Sequence, residues 1–181
     1  MFNIKLLQPD LILGDTVLGL TQEVLDQYKI KGLILDVDET LVPLKKSSVS
    51  EELIYWINHI KIRTPIWLVS NNLSKNRISY IADTLDLPYL LGAVKPSRRK
   101  LRKAISAMNL PVTQVAMVGD RLFTDVLAGN RLGMFTILVN PIITSKSHPI
   151  QDLEVWISQK LGVSFTSSEY KFVKKTRKTN H

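Results

Sequence analysis

The 181-residue chain contains no cysteine. That removes thiol nucleophiles, thiolate-bound zinc, iron–sulfur clusters and disulfide scaffolds from the possible chemistries. Histidine is scarce, at positions 59, 148 and 181 only, so a multi-histidine metal centre is not expected. Glycine and proline supply eight residues each, too few for a collagen-like or low-complexity chain. Long apolar runs are missing as well. Gly32–Leu35, Pro65–Val69 and Tyr89–Val94 fall far short of the ~18 residues a membrane-crossing helix needs. The first residues lack a basic start, and Pro9, Asp10 and Asp15 interrupt their apolar stretch, so no secretory leader is expected. A cytoplasmic location is the expectation. Acidic side chains are outnumbered, 16 against 24 Lys plus Arg, giving a net charge of +8. Such a surplus favours anionic partners (nucleic acid, an anionic membrane surface, phosphorylated substrates) without choosing among them.

What is present is an ordinary globular complement, 45% apolar and 22% charged, sized for one domain. Short runs apolar on both faces are expected as strands at 32–37, 65–69, 89–93, 115–118 and 135–139. Between them lie helix-period segments. Glu51–Lys61 carries Leu53, Ile57 and Ile60, with a capping box expected from Ser48 and Glu51. Lys75–Leu85 carries Ile78, Ile81 and Leu85, and Arg98–Met108 carries Leu101, Ala104, Ile105 and Met108. A further helix near Phe123–Leu132 should close at Gly133. This alternation predicts an α/β fold with a doubly wound parallel sheet. Residues 1–30 read as an approach segment with one helix at Thr21–Tyr28, and residues 164–181 as a basic tail.

In such sheets ligands bind beyond the carboxyl ends of the strands. Asp36-Val37-Asp38-Glu39-Thr40 follows the first expected strand and Ser70-Asn71-Asn72 the second. Lys95-Pro96-Ser97 follows the third, and Gly119-Asp120, with Asp125 five residues on, ends the fourth. Carboxylates, a hydroxyl and an ammonium therefore converge on one edge. Acidic strand ends suit a hard cation such as Mg²⁺, and a carboxylate beside that cation can attack phosphorus. Lysine and hydroxyl donors can hold the equatorial oxygens, which completes what phosphoryl transfer requires.

These four segments, in this order over residues 32–125, resemble the motifs of the haloacid dehalogenase (HAD) superfamily. The resemblance implies a HAD-like Rossmannoid core, here spanning 31–163, and an aspartyl-phosphate mechanism. By it Asp36 is the nucleophile and Asp38 the general acid/base, whose main-chain carbonyl joins the Mg²⁺ shell. Ser70, Asn71 and Lys95 take the phosphoryl group, Asp120 ligates Mg²⁺, and Asp125 supports it. An acid at position 38 resembles the phosphatase branch. Only 29 residues separate Thr40 from Ser70, and 23 separate Lys95 from Gly119, so no cap domain is expected. Leu7-Gln8-Pro9-Asp10, the run Ile30 to Pro43, and Lys95-Pro96 resemble the YqeG-like phosphatidylglycerophosphate phosphatase family, with Glu39 where that family often has asparagine. That family implies hydrolysis of a phosphorylated lipid head group at an anionic membrane surface, with peripheral attachment and no nucleic-acid partner.

Other readings stay open. The same chemistry fits a soluble sugar phosphate, a nucleotide or a nucleic-acid end, and a non-catalytic phosphate-binding module is a third possibility. Asp125 has two readings, helix cap and metal support. The cluster Arg98, Arg99, Lys100, Arg102 and Lys103 reads either as a solvated helix face or as a site for an anionic partner. Trp56 and Trp67 read as core or edge aromatics, and His59 as a partly exposed helix residue. Phe2, Ile4, Leu6, Leu7, Leu11, Ile12 and Leu13 are expected to dock on the sheet, with lipid contact the alternative.

Overall fold

Alternation along each strand decides the layers. Leu33 and Leu35 face one core while Ile34 faces the other, and Ala116 and Val118 oppose Val115 and Met117 in the same way. A sheet apolar on both faces must be covered on both. In a computed structural model that describes residues 3–142, 149–160 and 162, it is. The expected tail at 164–181 lies outside the described residues.

In chain order the elements are β1 (Leu11–Ile12), α1 (Gln22–Gln27), β2 (Gly32–Leu35), α2 (Glu51–Ile60), β3 (Ile66–Val69), α3 (Lys75–Leu85) and β4 (Tyr89–Leu90). Then come α4 (Arg99–Met108), β5 (Val115–Gly119), α5 (Leu127–Asn130), β6 (Phe135–Leu138) and α6 (Pro149–Lys160). The six strands are all parallel, in the order β1-β6-β5-β2-β3-β4. The buried apolar residues of α1, α2 and α3 join the core on one face, and those of α4 with Ala128 of α5 the core on the other. The chain leaves β2 toward β3 and β4, then returns to β5 on the other side of β2. The switch point, where open α/β sheets bind ligands, therefore lies between β2 and β5. Residues 41–114 hold α2, β3, α3, β4, α4 and one 3-10 turn, and no domain is inserted between β2 and β5.

Several local expectations shift. The N-cap of α2 is Ser50, whose Oγ accepts the Leu53 N–H at 3.2 Å, so the Ser48–Glu51 box does not form. The strand expected at 89–93 stops at Leu90, because Gly92 turns to φ +59° and Ala93 N–H donates across to Ser70 O. The helix expected from Phe123 begins instead as a π-helical turn over Leu122–Val126 before α5; Gly133, at φ +77°, closes it as expected. The sequence reading has no strand before residue 32, yet β1 pairs with β6. Asp10 secures it: its carboxylate accepts the Thr136 N–H at 2.8 Å, and its N–H donates to Thr136 O at 3.0 Å. Leu7 is buried against Leu127, with Ile4 and Leu6 beside it, and Leu11 and Leu13 pack against the main core as expected; Phe2 lies outside the described residues. Trp56 is a core residue donating to Leu20 O at 2.8 Å, Trp67 is partly buried, and His59 is exposed in the last turn of α2.

Candidate active site

Register brings the polar strand ends together. Leu35 pairs with both Leu68 on β3 and Val118 on β5, so the residues just beyond them share one edge. Asp36 N–H continues the ladder to Val118 O at 2.9 Å. Asp36, Ser70, Lys95, Asp120 and Asp125 are all buried there.

Lys95 is the centre of the group. Its Nζ donates to Asp36 Oδ1 at 2.5 Å and to Val69 O at 2.9 Å, and pairs with Asp125 Oδ1 at 2.7 Å. Burial pulls the ammonium toward neutrality, but Asp125 and Asp36 outweigh that, and it is held above its ordinary range. Asn71 grips the backbone of Lys95 in both directions, accepting from Lys95 N at 2.7 Å and donating to Lys95 O at 3.3 Å. The Asn71 amide, expected among the phosphate-binding groups, is thus engaged by the Lys95 backbone and orients the lysine.

Asp36, Asp120 and Asp125 each bring a carboxylate oxygen into a group whose members lie within 4.8 Å of one another. Three buried carboxylates face a single ammonium, and the electrostatics follow. Burial pushes Asp36 up to about 7, with Asp125 and Asp38 adding to the rise and Lys95 opposing it. Burial likewise raises Asp120 to about 8, helped by Asp125 and Asp36 and opposed by a Thr40 hydroxyl bond at 3.2 Å and by Arg121. An all-oxygen donor set short of positive charge fits Mg²⁺, a hard cation, better than a thiophilic or imidazole-seeking metal.

Asp125 reaches this cluster because the π-helical turn widens the backbone, with Asp125 N and Val126 N both directed at Arg121 O. Its carboxylate also accepts the Arg121 N–H at 3.3 Å, so it serves the turn and the cluster together. Gly119 makes room for it: a Cβ there would collide with the Asp125 carboxylate. Glu154 on α6 anchors the same turn, accepting from Leu122 N at 2.8 Å and from Arg121 Nε at 2.7 Å.

The Asp38 carboxylate lies outside the three-carboxylate group. It accepts from Ser70 Oγ and Asn72 Nδ2, both at 3.3 Å, and from Arg77 Nη1 at 2.5 Å. Arg77 also donates to Lys46 O at 2.9 Å and Pro43 O at 3.1 Å, tying α3 to the loop after β2. Sequence reasoning missed Arg77 and Glu154, and it named Asn72 at the strand end without giving it a role. Each sits on a loop or helix whose local pattern gives no hint of a partner dozens of residues away. Glu39 takes φ +66°, a left-handed turn that asparagine tolerates better than glutamate, and this gives the family's preference a physical basis.

The chain is 35% identical over 130 residues to probable phosphatase YqeG of Bacillus subtilis, covering 71% of this chain and 75% of that one. It belongs to the YqeG-like family of HAD phosphatases. The HAD-hydrolase-like family model also matches residues 93–150, which include Lys95, Asp120 and Asp125. Two further relatives match shorter stretches. One is 5'-nucleotidase YutF of B. subtilis, 34% identical over 67 residues (37% of this chain, 25% of that one). The other is chloroplastic phosphatidylglycerophosphate phosphatase 1 of Chlamydomonas reinhardtii, 39% identical over 61 residues (34% of this chain, 23% of that one). The chain spans about a quarter of the length of these two.

Proposed function

We propose that this HAD phosphatase uses Asp36 as nucleophile and Mg²⁺ as cofactor, and that its substrate is a lipid phosphomonoester, phosphatidylglycerophosphate. The observation that carries the chemistry is the Asp36–Lys95–Asp125–Asp120 cluster at the β2/β5 switch point. An Asp36 oxygen attacks phosphorus as the ester P–O bond breaks, and Asp38 delivers a proton to the departing alkoxide. Water then attacks the aspartyl-phosphate, Asp38 takes the water's proton, and the bond to Asp36 breaks to release inorganic phosphate. Lys95 and the Ser70 hydroxyl are the donors for the phosphoryl oxygens. Ser70, Asn72 and Arg77 fix the direction in which Asp38 exchanges its proton. Asp36, the main-chain carbonyl of Asp38, Asp120 and Asp125 are the candidates to hold Mg²⁺. When bound, the ion supplies positive charge that keeps the carboxylates ionised and offsets repulsion between nucleophile and phosphate.

The substrate reading rests on three supports: the short match to the algal lipid phosphatase, a mouth with no cap domain over it among the described residues, and a net charge of +8. No helix among the described residues is long and apolar enough to cross a membrane, so access to a lipid head group would be peripheral. In the basic cluster Arg99, Arg102 and Lys103 are exposed, whereas Arg98 is half-buried and donates to Arg131 O at 3.2 Å. A soluble nucleotide is the second reading, favoured by the match to the nucleotidase.

Phosphate release from a panel decides between them. The panel is phosphatidylglycerophosphate in mixed micelles, nucleoside monophosphates and sugar phosphates, each with Mg²⁺ or EDTA. The lipid should be turned over far faster than the soluble esters, and only with Mg²⁺. Preference for a nucleotide would replace the lipid reading, and undiminished release in EDTA would remove the metal.

A further inference from the structure

Three loops frame the mouth of the site, and each carries an aliphatic side chain that its loop does not bury. Leu44 lies on the loop after β2, Leu73 on the loop after β3 and Val94 on the loop after β4; they are 53%, 77% and 69% exposed. Hydrogen bonds join these loops into one rim. Gly92 N–H donates to Asn72 O at 3.0 Å and Ala93 N–H to Ser70 O at 2.9 Å. Arg77, next to the loop that carries Leu73, holds the carbonyls of Pro43 and Lys46 on either side of Leu44. Leu73 lies directly over Gly92, where a Cβ would meet its Cδ2 at 2.9 Å.

Val94 adds an independent observation. It adopts φ +51°, a conformation unfavourable for a β-branched residue, and its exposure means that packing does not repay the strain. Charge completes the pattern. Within two residues of the three tips the exposed charged side chains are Lys45, Lys46 and Lys75, all cationic. Aliphatic tips ringed by lysines match an interface with an apolar interior and anionic head groups. A second copy of this +8 chain would set like charges against one another, and the tips carry no aromatic side chain on which a base could stack.

We infer that Leu44, Leu73 and Val94, with Lys45, Lys46 and Lys75, form a rim that seats the active-site mouth on an anionic lipid surface. This rests on the lipid-phosphomonoester reading and identifies the surface through which that substrate would be reached. Head groups meet the lysines while the three aliphatic tips enter the head-group boundary, so the lipid phosphate reaches Asp36 without leaving the bilayer.

The test is co-sedimentation with vesicles of equal parts phosphatidylglycerol and phosphatidylcholine, against vesicles of phosphatidylcholine alone. The wild-type chain should partition to the mixed vesicles and not to the neutral ones. L44S/L73S/V94S should lose about tenfold or more of that partition, since each tip gives up apolar burial. K45Q/K46Q/K75Q, which leaves the tips intact, should also weaken it, and both variants should retain hydrolysis of p-nitrophenyl phosphate. Unchanged partition in both variants, or equal binding to neutral vesicles, overturns the inference. A wild-type chain that ignores vesicles but forms a dimer broken by the serine substitutions overturns it too, and assigns the rim to a second copy. These vesicles contain no phosphomonoester, so the two readings fail separately. Docking without phosphatidylglycerophosphate hydrolysis keeps the rim and ends the substrate proposal; micellar hydrolysis without docking does the reverse.

Discussion

Lys95 is buried between two carboxylates, and the proposed mechanism gives it a double duty, neutralising the acidic cluster and meeting a phosphoryl group. Asp38, held apart by Ser70, Asn72 and Arg77, is given the proton-transfer duty alone in the proposed mechanism. The two should separate on mutation. Asp38→Asn should lose ~10²–10⁴-fold in kcat while still binding vanadate, because a positioned general acid/base is worth about that much. Lys95→Ala should lose vanadate affinity as well as turnover. Equal vanadate affinity in Lys95→Ala and wild type would contradict the assignment. The raised acids give a second test at this scale. Asp36 and Asp120 sit at about 7 and about 8 in the folded chain, against an ordinary 3.8. At these two groups the folded state thus holds more protons than the unfolded state between pH 4 and 8, and their contribution to stability falls as pH rises through that window. Without metal the melting temperature should drop from pH 5 to pH 8, and added Mg²⁺ should raise it more at pH 8 than at pH 5. A metal-free melting temperature that climbs over this range would refute the electrostatic picture.

Elements differ in how plainly the sequence announces them. The strands at the centre of the sheet are legible because both faces are apolar, and α2, α3 and α4 because their apolar residues keep a 3.6-residue period. Asp36, Ser70, Lys95 and Asp120 are legible for a related reason, since each lies where an apolar run gives way to polar residues at the binding edge. β1 is two residues long, and only distant hydrogen bonds to β6, those of Asp10 with Thr136 and of Leu13 N–H with Leu138 O, make it a strand. The π-helical turn keeps the apolar spacing of a helix and differs only in its hydrogen bonds, so composition does not reveal it. α6 is the clearest omission, and its Glu154 matters to the site. That carboxylate satisfies Leu122 N and both holds and screens Arg121, the residue beside Asp120. Glu154→Gln should cost about 1–3 kcal/mol in urea unfolding, the lower end reflecting partial exposure of Arg121. It should also weaken Mg²⁺ binding, because Asp125 depends on the same turn. Unaltered stability and metal affinity would mean that α6 merely rests on the core.

At the scale of the whole molecule, the strand order of a parallel sheet reverses between β2 and β5, and the chain places its acids there with no inserted domain to cover them among the described residues. The same edge carries a rim of aliphatic and basic side chains, so the proposed chemistry and the proposed route of access share one face. All of this turns on Asp36 being the atom donor that takes the phosphoryl group. Acid quench during turnover in Mg²⁺, followed by borohydride reduction and peptide mass spectrometry, reads that directly, since an aspartyl-phosphate is reduced to homoserine. Homoserine is expected at position 36 only when substrate is present, and Asp36→Asn should neither turn over nor label. Steady phosphate release with no modification at position 36, or robust turnover by Asp36→Asn free of deamidation, would contradict the account.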